Sequence, residues 1–361
     1  MIFAGLLTTL FLIAFGFLLK KSKIIAWIQW MWIWIIIAFN NGGMDFVENE
    51  QIYDAYEISN ITAGLNGWLS SVLAIVFKRF HLDYWQYNAF IATIALIILF
   101  YVVMHNTDKP SMYFSLFLIF PFYESVIQKR FFVAMIFCFL SLLYTKKSSK
   151  KCYIFFFLAL GFHASVILML PFLILDWILK KHRNLIWIIL FLESYILFFQ
   201  RSLFSFIDQL CFHGRYASKI EVYLRNNISI KAAFFFICLH ITLVLFIVII
   251  ESISLNGMRL KFIIQNDYIV RLNLFSLIYT PLLTMDAVFF RCYRIILLIN
   301  YFTITEHVVG QFKKNTWRYY IVWLFVFILI AYVGVFTACD KSGWYGPLTT
   351  LFEYNQIIGI Y

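Results

Sequence analysis

Charge is what this 361-residue chain has least of: 13% of its residues are Asp, Glu, Lys or Arg, against 63% hydrophobic and 21% aromatic. Soluble domains run at about 25% charged and 45–50% apolar, so the composition excludes a soluble globular fold. The mean hydropathy of +0.85 agrees. No polar stretch is long enough to bury a core of its own, which excludes a separate soluble domain. The six cysteines (Cys138, Cys152, Cys211, Cys238, Cys292, Cys339) form no CxxC pair. They read as small apolar residues rather than a zinc site or a disulfide framework. A P-loop, a GxGxxG turn, internal repeats and low-complexity tracts are all missing. There is no DxD or HxxH cluster, and no metal or other cofactor is expected. The first apolar run lacks a basic start and a small-residue cleavage site, so it is expected to remain as a helix and not be removed as a signal peptide.

What is present is a succession of apolar runs, so the expected fold is an all-α polytopic membrane protein, a single integral domain over residues 1–361. A spanning helix needs about 20 apolar residues. The candidates are 2–19, 24–39, 86–104, 110–127, 129–144, 184–199, 232–250, 268–284, 287–304 and 317–336. The net charge of +11 has its plainest explanation in cytoplasmic loops, where Lys and Arg accumulate, and not in nucleic acid. "KKSK" (20–23), "KKSSKK" (146–151), "KKHR" (180–183) and "FKKNTWR" (312–318) are the clearest such loops. The second and third can share a side only if 152–179 crosses and returns as a hairpin turning near "GFHAS". That gives about twelve crossings, with both termini outside. Residues 40–85 become the first extracytoplasmic loop, in which 61–77 is an interfacial or re-entrant helix. Residues 200–231 become the second.

Some cations break the positive-inside pattern. Lys129 and Arg130 stand between two apolar runs on the outer side, as do Arg215 in the second loop and Arg291 and Arg294. A central Arg or Lys costs roughly 2.5–3.5 kcal/mol on insertion scales. Idle snorkelling explains any one of them, but the group delivers arginine to one membrane level from several segments. The first outer loop carries Asp45, Glu48, Glu50, Asp54 and Glu57 without a single Lys or Arg. Either it is a solvated acidic loop, or Asp45 or Glu57 faces a polar substrate with Tyr53 and Tyr56. Guanidinium binds phosphate in a bidentate fashion and stays charged, so outward arginines suit a lipid that carries phosphate. They would also stabilise a departing pyrophosphate without a metal. Sugar transfer to a hydroxyl needs a base as well. His163 is the candidate, a helix-packing histidine being the plainer alternative. Asp45 or Glu57 are alternatives for the role, and His213 is a weaker one.

The stretch 124–171 resembles the EpsG family of Wzy-type polysaccharide polymerases. The resemblance rests on Gln128, Arg130 and Ala134, followed by a basic loop and then Phe162, His163, Ser165 and Pro171. Asp45, Tyr53 and Tyr56 after "NNGG", and the segment "RCYRIILLINYF", resemble further family segments. Phe131 departs from the family pattern, which often has Gln there, and "ITAGL" has Thr62 where an acidic residue is common. The resemblance implies a GT-C-like helical glycosyltransferase architecture with short extracytoplasmic loop helices. It implies a multi-pass enzyme of the bacterial cytoplasmic membrane whose site faces outside. The growing glycan on one undecaprenyl pyrophosphate would pass to the non-reducing end of another lipid-linked unit. Arg130 with Arg291 or Arg294 would clamp pyrophosphate, supported by Gln128, Lys129 and Arg215. His163 would be the base or orient the acceptor. A chain-length regulator and a flippase are candidate partners. A flippase for the same lipid, an O-antigen ligase and an O-acyltransferase are the rival readings. A flippase would commonly show repeats and cations along a path.

Overall fold

The computed structural model describes residues 2–42, 44–56, 67–145, 149–173, 230–254, 267–307, 316–338 and 345–358. Among them the chain is helical and holds no strand. The helices are α1 (Ile2–Leu18), α2 (Lys23–Ala38), α3 (Met44–Asp54), α4 (Trp68–Arg79), α5 (Tyr84–Asn106), α6 (Pro110–Ile119), α7 (Phe122–Ile127), α8 (Lys129–Tyr144), α9 (Ser149–Phe162), α10 (Ile230–Ser254), α11 (Tyr268–Ser276), α12 (Phe290–His307), α13 (Thr316–Ala338) and α14 (Tyr345–Phe352). Two compact units divide the chain: Met1–Leu168 with Tyr301–Tyr361, and Met169–Asn300.

In the first unit α6 is buried along its whole length and α8 along most of its length. Helices α1, α2 and α5 pack around α6, and α9 runs along α8. Few polar side chains enter this core, and most are paired across helices. Gln29 donates to the Leu12 carbonyl and to Ser115 Oγ, both at 2.9 Å, and Ser115 donates to the Ile13 carbonyl. The contact depends on Gly16, where a Cβ would sit 2.0 Å from Ser115 Oγ. Small residues allow such close helix approach where lipid supplies no hydrophobic drive. Lys109 is buried and donates to the carbonyls of Thr305 (2.7 Å) and Glu306 (3.2 Å), capping the negative end of α12. At the end of α2, Asn40 donates to the carbonyls of Thr350 and Leu351, while Asn355 returns a bond to the Ile35 carbonyl. The last described segment is thereby tied to the stretch that leads into α3.

Two helices, Tyr84–Asn106 and Ile230–Ser252, are long and apolar enough to span a bilayer, and shorter apolar helices accompany them. On α10, Phe234, Ile241, Leu245 and Ile249 form an exposed apolar stripe, a face suited to lipid.

Two expected spans prove to be broken. The run 110–127 is not one helix: α6 ends before Phe120, which is extended, and α7 restarts after Pro121. Proline lacks the N–H that a continuing helix needs and disfavours helical backbone in the residue before it. The run 268–284 stops as α-helix at Ser276 and continues as 3-10 turns, the second of which begins at Pro281. In the expected hairpin 152–179, α9 ends at Phe162 and a 3-10 turn follows over Ala164–Met169. Gly161 lies against Leu69 and Trp68 of α4, where a Cβ would be 2.7 Å from Leu69. The run 184–199 and the loop 200–229 lie outside the described residues, as does 57–66.

Candidate active site around Arg130

The break at Pro121 lets the chain turn through α7 and start afresh at Gln128, whose φ of −104° and ψ of 57° are not helical. Lys129 and Arg130 therefore form the first turn of α8. Both cations sit at the positive end of a helix dipole, a placement unfavourable for them and favourable for an anion beside them. Lys129 is buried; its ammonium donates to the Asn40 carbonyl and lies 5.7 Å above the Phe46 ring. Arg130 is half-buried and donates to Asn49 Oδ1. A small pocket is lined by these two cations with Gly42, Phe46, Asn49, Tyr84 and Asn88.

The walls follow from helix periodicity. Phe46, Asn49 and Tyr53 recur at i, i+3 and i+7 on α3, so they share one face. Phe46 packs on Tyr84 with ring centroids 5.0 Å apart, and Tyr53 packs on Tyr84 (5.6 Å) and Tyr87 (5.5 Å). Tyr53 is buried and donates to the Leu82 carbonyl at 2.7 Å, which occupies its hydroxyl in holding α3 to the start of α5. Burial, with help from Asp83 and Asp54, pushes its phenol up to about 12, so it remains a neutral donor. Tyr56 is half-buried, and its carbonyl accepts from Lys78 at 3.1 Å. Asp45 lies in the first turn of α3; its side chain is outside the described residues.

His163 meets the same helix. Its ring stands edge-on to Phe131, the residue after Arg130, with centroids 5.4 Å apart. The Ser165 backbone N–H donates to His163 Nδ1 at 3.2 Å, and Ser165 Oγ lies 2.7 Å from the same nitrogen. A backbone N–H can only donate, so Nδ1 carries the lone pair and the neutral ring carries its proton on Nε2.

The model of the EpsG family matches residues 23–348. The chain belongs to the EpsG family. This family is one of Wzy-type, polymerase-like proteins, associated with polysaccharide biosynthesis in membranes. No curated protein and no solved structure matches the chain.

Within this EpsG-family chain, Gln128, Lys129, Arg130 and His163 belong to α8 and to the turn packed against it. Arg291 and Arg294 lie in the first turns of α12, in the second compact unit, and Arg294 is buried. Glu57 and Arg215, like His213, lie outside the described residues. Sequence reading missed Asn49 and Asn88. Their signal was polarity alone: Asn88 is a carboxamide inside an otherwise apolar span, and Asn49 is three residues from an aromatic on a short helix. It also missed Glu124, a buried carboxylate four residues before Gln128 that accepts from Tyr332 at 3.3 Å. An ionisable residue within an apolar run was its available sign.

Proposed function

We propose that this EpsG-family protein is a polysaccharide polymerase that joins lipid-linked repeat units at the outer face of a bacterial cytoplasmic membrane. Its chain crosses the bilayer about twelve times in a GT-C-like arrangement. The growing glycan on one undecaprenyl pyrophosphate is transferred to the non-reducing-end hydroxyl of another lipid-linked unit. The observation that carries this reading is the pocket at the start of α8, where Arg130, Lys129 and a helix N-terminus converge. Three sources of positive potential in a low-dielectric setting suit a pyrophosphate and the negative charge it gains on leaving.

In the step, the acceptor oxygen forms a bond to the anomeric carbon while the bond from that carbon to the pyrophosphate oxygen breaks. The electron pair stays on undecaprenyl pyrophosphate, whose charge Arg130 neutralises. Arg291 or Arg294 serves as a second clamp, with Arg215 as a further contact. The hydroxyl proton needs an acceptor. The Ser165 contact favours His163 as a donor through Nε2–H, orienting acceptor or leaving group. Asp45, on the helix whose Phe46 and Asn49 line the pocket, is then the group assigned to receive the proton. Glu57 and Tyr56 remain on the acceptor side of this scheme. No cofactor enters it.

The test is polymer made in cells that carry Arg130→Ala in place of the wild-type chain, with protein level followed on the same samples. Normal expression with polymer reduced by about 10²–10³-fold is expected, the usual effect of losing one charge-stabilising group. Wild-type chain lengths would remove Arg130 from the site.

A further inference from the structure

Asn88 sits in the second turn of α5 at 1% exposure, and neither its Oδ1 nor its Nδ2 has a hydrogen-bond partner among the described residues. Burying a carboxamide with both ends unsatisfied is destabilising, and a leucine, its branched hydrocarbon counterpart, would carry no such cost. Asn88 is among the residues that line the Arg130 pocket, beside the two cations. Asn49, also in the lining, adds a second carboxamide, whose oxygen accepts from Arg130.

The chemistry of the pair discriminates between ligands. A phosphate at neutral pH accepts hydrogen bonds and does not donate them, so phosphate alone would leave Asn88 Oδ1 unsatisfied. A sugar hydroxyl or acetamido group both donates and accepts, and so satisfies both ends of a carboxamide. Lys129 and Arg130 want the anion; Asn88 wants the neutral polar group next to it. A sugar bonded to phosphate provides both at adjacent positions. The paired rings of Phe46 and Tyr84 supply an apolar wall of the kind that the CH face of a sugar contacts. As it stands the pocket admits a small polar substituent and not a whole sugar ring, so the sugar would present one edge to Asn88.

We propose that Asn88 is a sugar-binding residue, which reads the sugar next to the pyrophosphate through a donor–acceptor pair while Lys129 and Arg130 hold the phosphate. This rests on the reading of the protein as a transferase of lipid-linked glycans. It adds a specificity-determining position to that site: the carboxamide distinguishes a glycosylated lipid pyrophosphate from the bare one left after transfer. Product lipid, which lacks the sugar, then binds more weakly than substrate lipid.

The experiment measures affinity of the full-length protein in nanodiscs for two probes. These are undecaprenyl pyrophosphate and the host's own undecaprenyl-pyrophosphate-linked repeat unit. Asn88→Leu should melt at or above the wild-type temperature and bind the glycosylated lipid at least about 10-fold more weakly. Its affinity for bare undecaprenyl pyrophosphate should stay within about twofold. Asn88→Ala, which removes the carboxamide without adding volume, is read in parallel and should show the same split. Arg130→Ala should weaken both probes. Equal losses on both probes, or no loss on either, would overturn the assignment; the second result would leave a bound water as Asn88's partner. UDP-N-acetylglucosamine, a soluble glycosyl pyrophosphate, should not compete, and competition would overturn the lipid-linked source. Wild-type protein that binds neither lipid would sink the transferase reading itself. Wild-type binding with an indifferent Asn88 would sink only this inference.

Discussion

Two buried polar clusters in this protein are built to opposite rules. In the second compact unit, His240, Ser276, Thr280, Asn273, Tyr293 and Asn300 form a closed network. His240 Nε2 lies 3.0 Å from Ser276 Oγ and its Nδ1 is 3.3 Å from Thr280 Oγ1, while Ser276 donates to the Asn273 carbonyl at 2.6 Å. Asn273 and Asn300 exchange reciprocal amide bonds of 2.7 and 2.8 Å, and the Tyr293 hydroxyl donates to Asn273 Oδ1 at 3.2 Å. Each of these side chains finds its partner within the protein. The Arg130 pocket is the reverse case: a buried Asn88 without a partner among the described residues, next to two cations placed at the wrong end of a helix dipole. A polar cluster that satisfies itself holds helices together. One that leaves a buried polar group unpaired is open to something else completing it. Structure of the second kind is kept at a cost in stability, as is usual where a site must bind.

The comparison can be broken at either cluster. Arg130→Ala has the largest expected effect, a loss of polymer of about 10²–10³-fold, and His163, in the turn packed against α8, comes second. If the ring acts as an Nε2–H donor, His163→Gln, which keeps a donor and cannot act as a base, should retain roughly 10-fold more polymerase activity than His163→Ala. Equal inactivity of the two variants would return His163 to the role of base. Next comes the closed network. Asn300→Leu removes one partner from Asn273 and from Tyr293, and should lower stability by about 1–2 kcal/mol, the upper range for interhelical hydrogen bonds in membranes. Thermal melts in detergent check this. The contrast with Asn88→Leu, expected to melt no lower than wild type, is the sharpest form of the comparison. The smallest effect belongs to a polar contact of neither kind. Lys21 and Asp108 pair at 3.2 Å at the surface, both more than 60% exposed. Burial alone would raise the Asp108 carboxyl, but hydrogen bonding and charge from Lys21 and Lys109 outweigh it and hold it below the ordinary range. Its stabilisation is therefore present above the unfolded value near about pH 4 and is lost as pH falls through the lowered folded value. Asp108→Asn should cost no more than a few tenths of a kcal/mol at neutral pH, and less in acid.

Much of this was legible in the sequence, for reasons that differ from residue to residue. The helices were visible because apolar runs of spanning length leave the backbone few alternatives in lipid; 129–144 coincides with α8, and 86–104 and 232–250 lie within α5 and α10. Arg130 stood out because a cation between two apolar runs is costly wherever it sits. Hydropathy averaged over a window could not show the break inside 110–127, although Pro121 was its cause. The same averaging hid Asn88, one carboxamide among apolar neighbours, whose lack of a partner exists only once α3, α5 and α8 are assembled. The tautomer of His163 was also out of reach, because it depends on a turn that places the Ser165 N–H against Nδ1. Tyr53, picked out for its chemistry, has its hydroxyl committed to the Leu82 carbonyl, which spacing alone could not reveal.

The most direct test of the central claim uses purified protein in nanodiscs, supplied with the host's lipid-linked repeat unit and a metal chelator, with products resolved on a gel. The account predicts a ladder of polymer from wild type and none from Arg130→Ala of equal thermal stability. An unchanged single unit from folded wild-type protein would contradict it and bring the flippase reading forward.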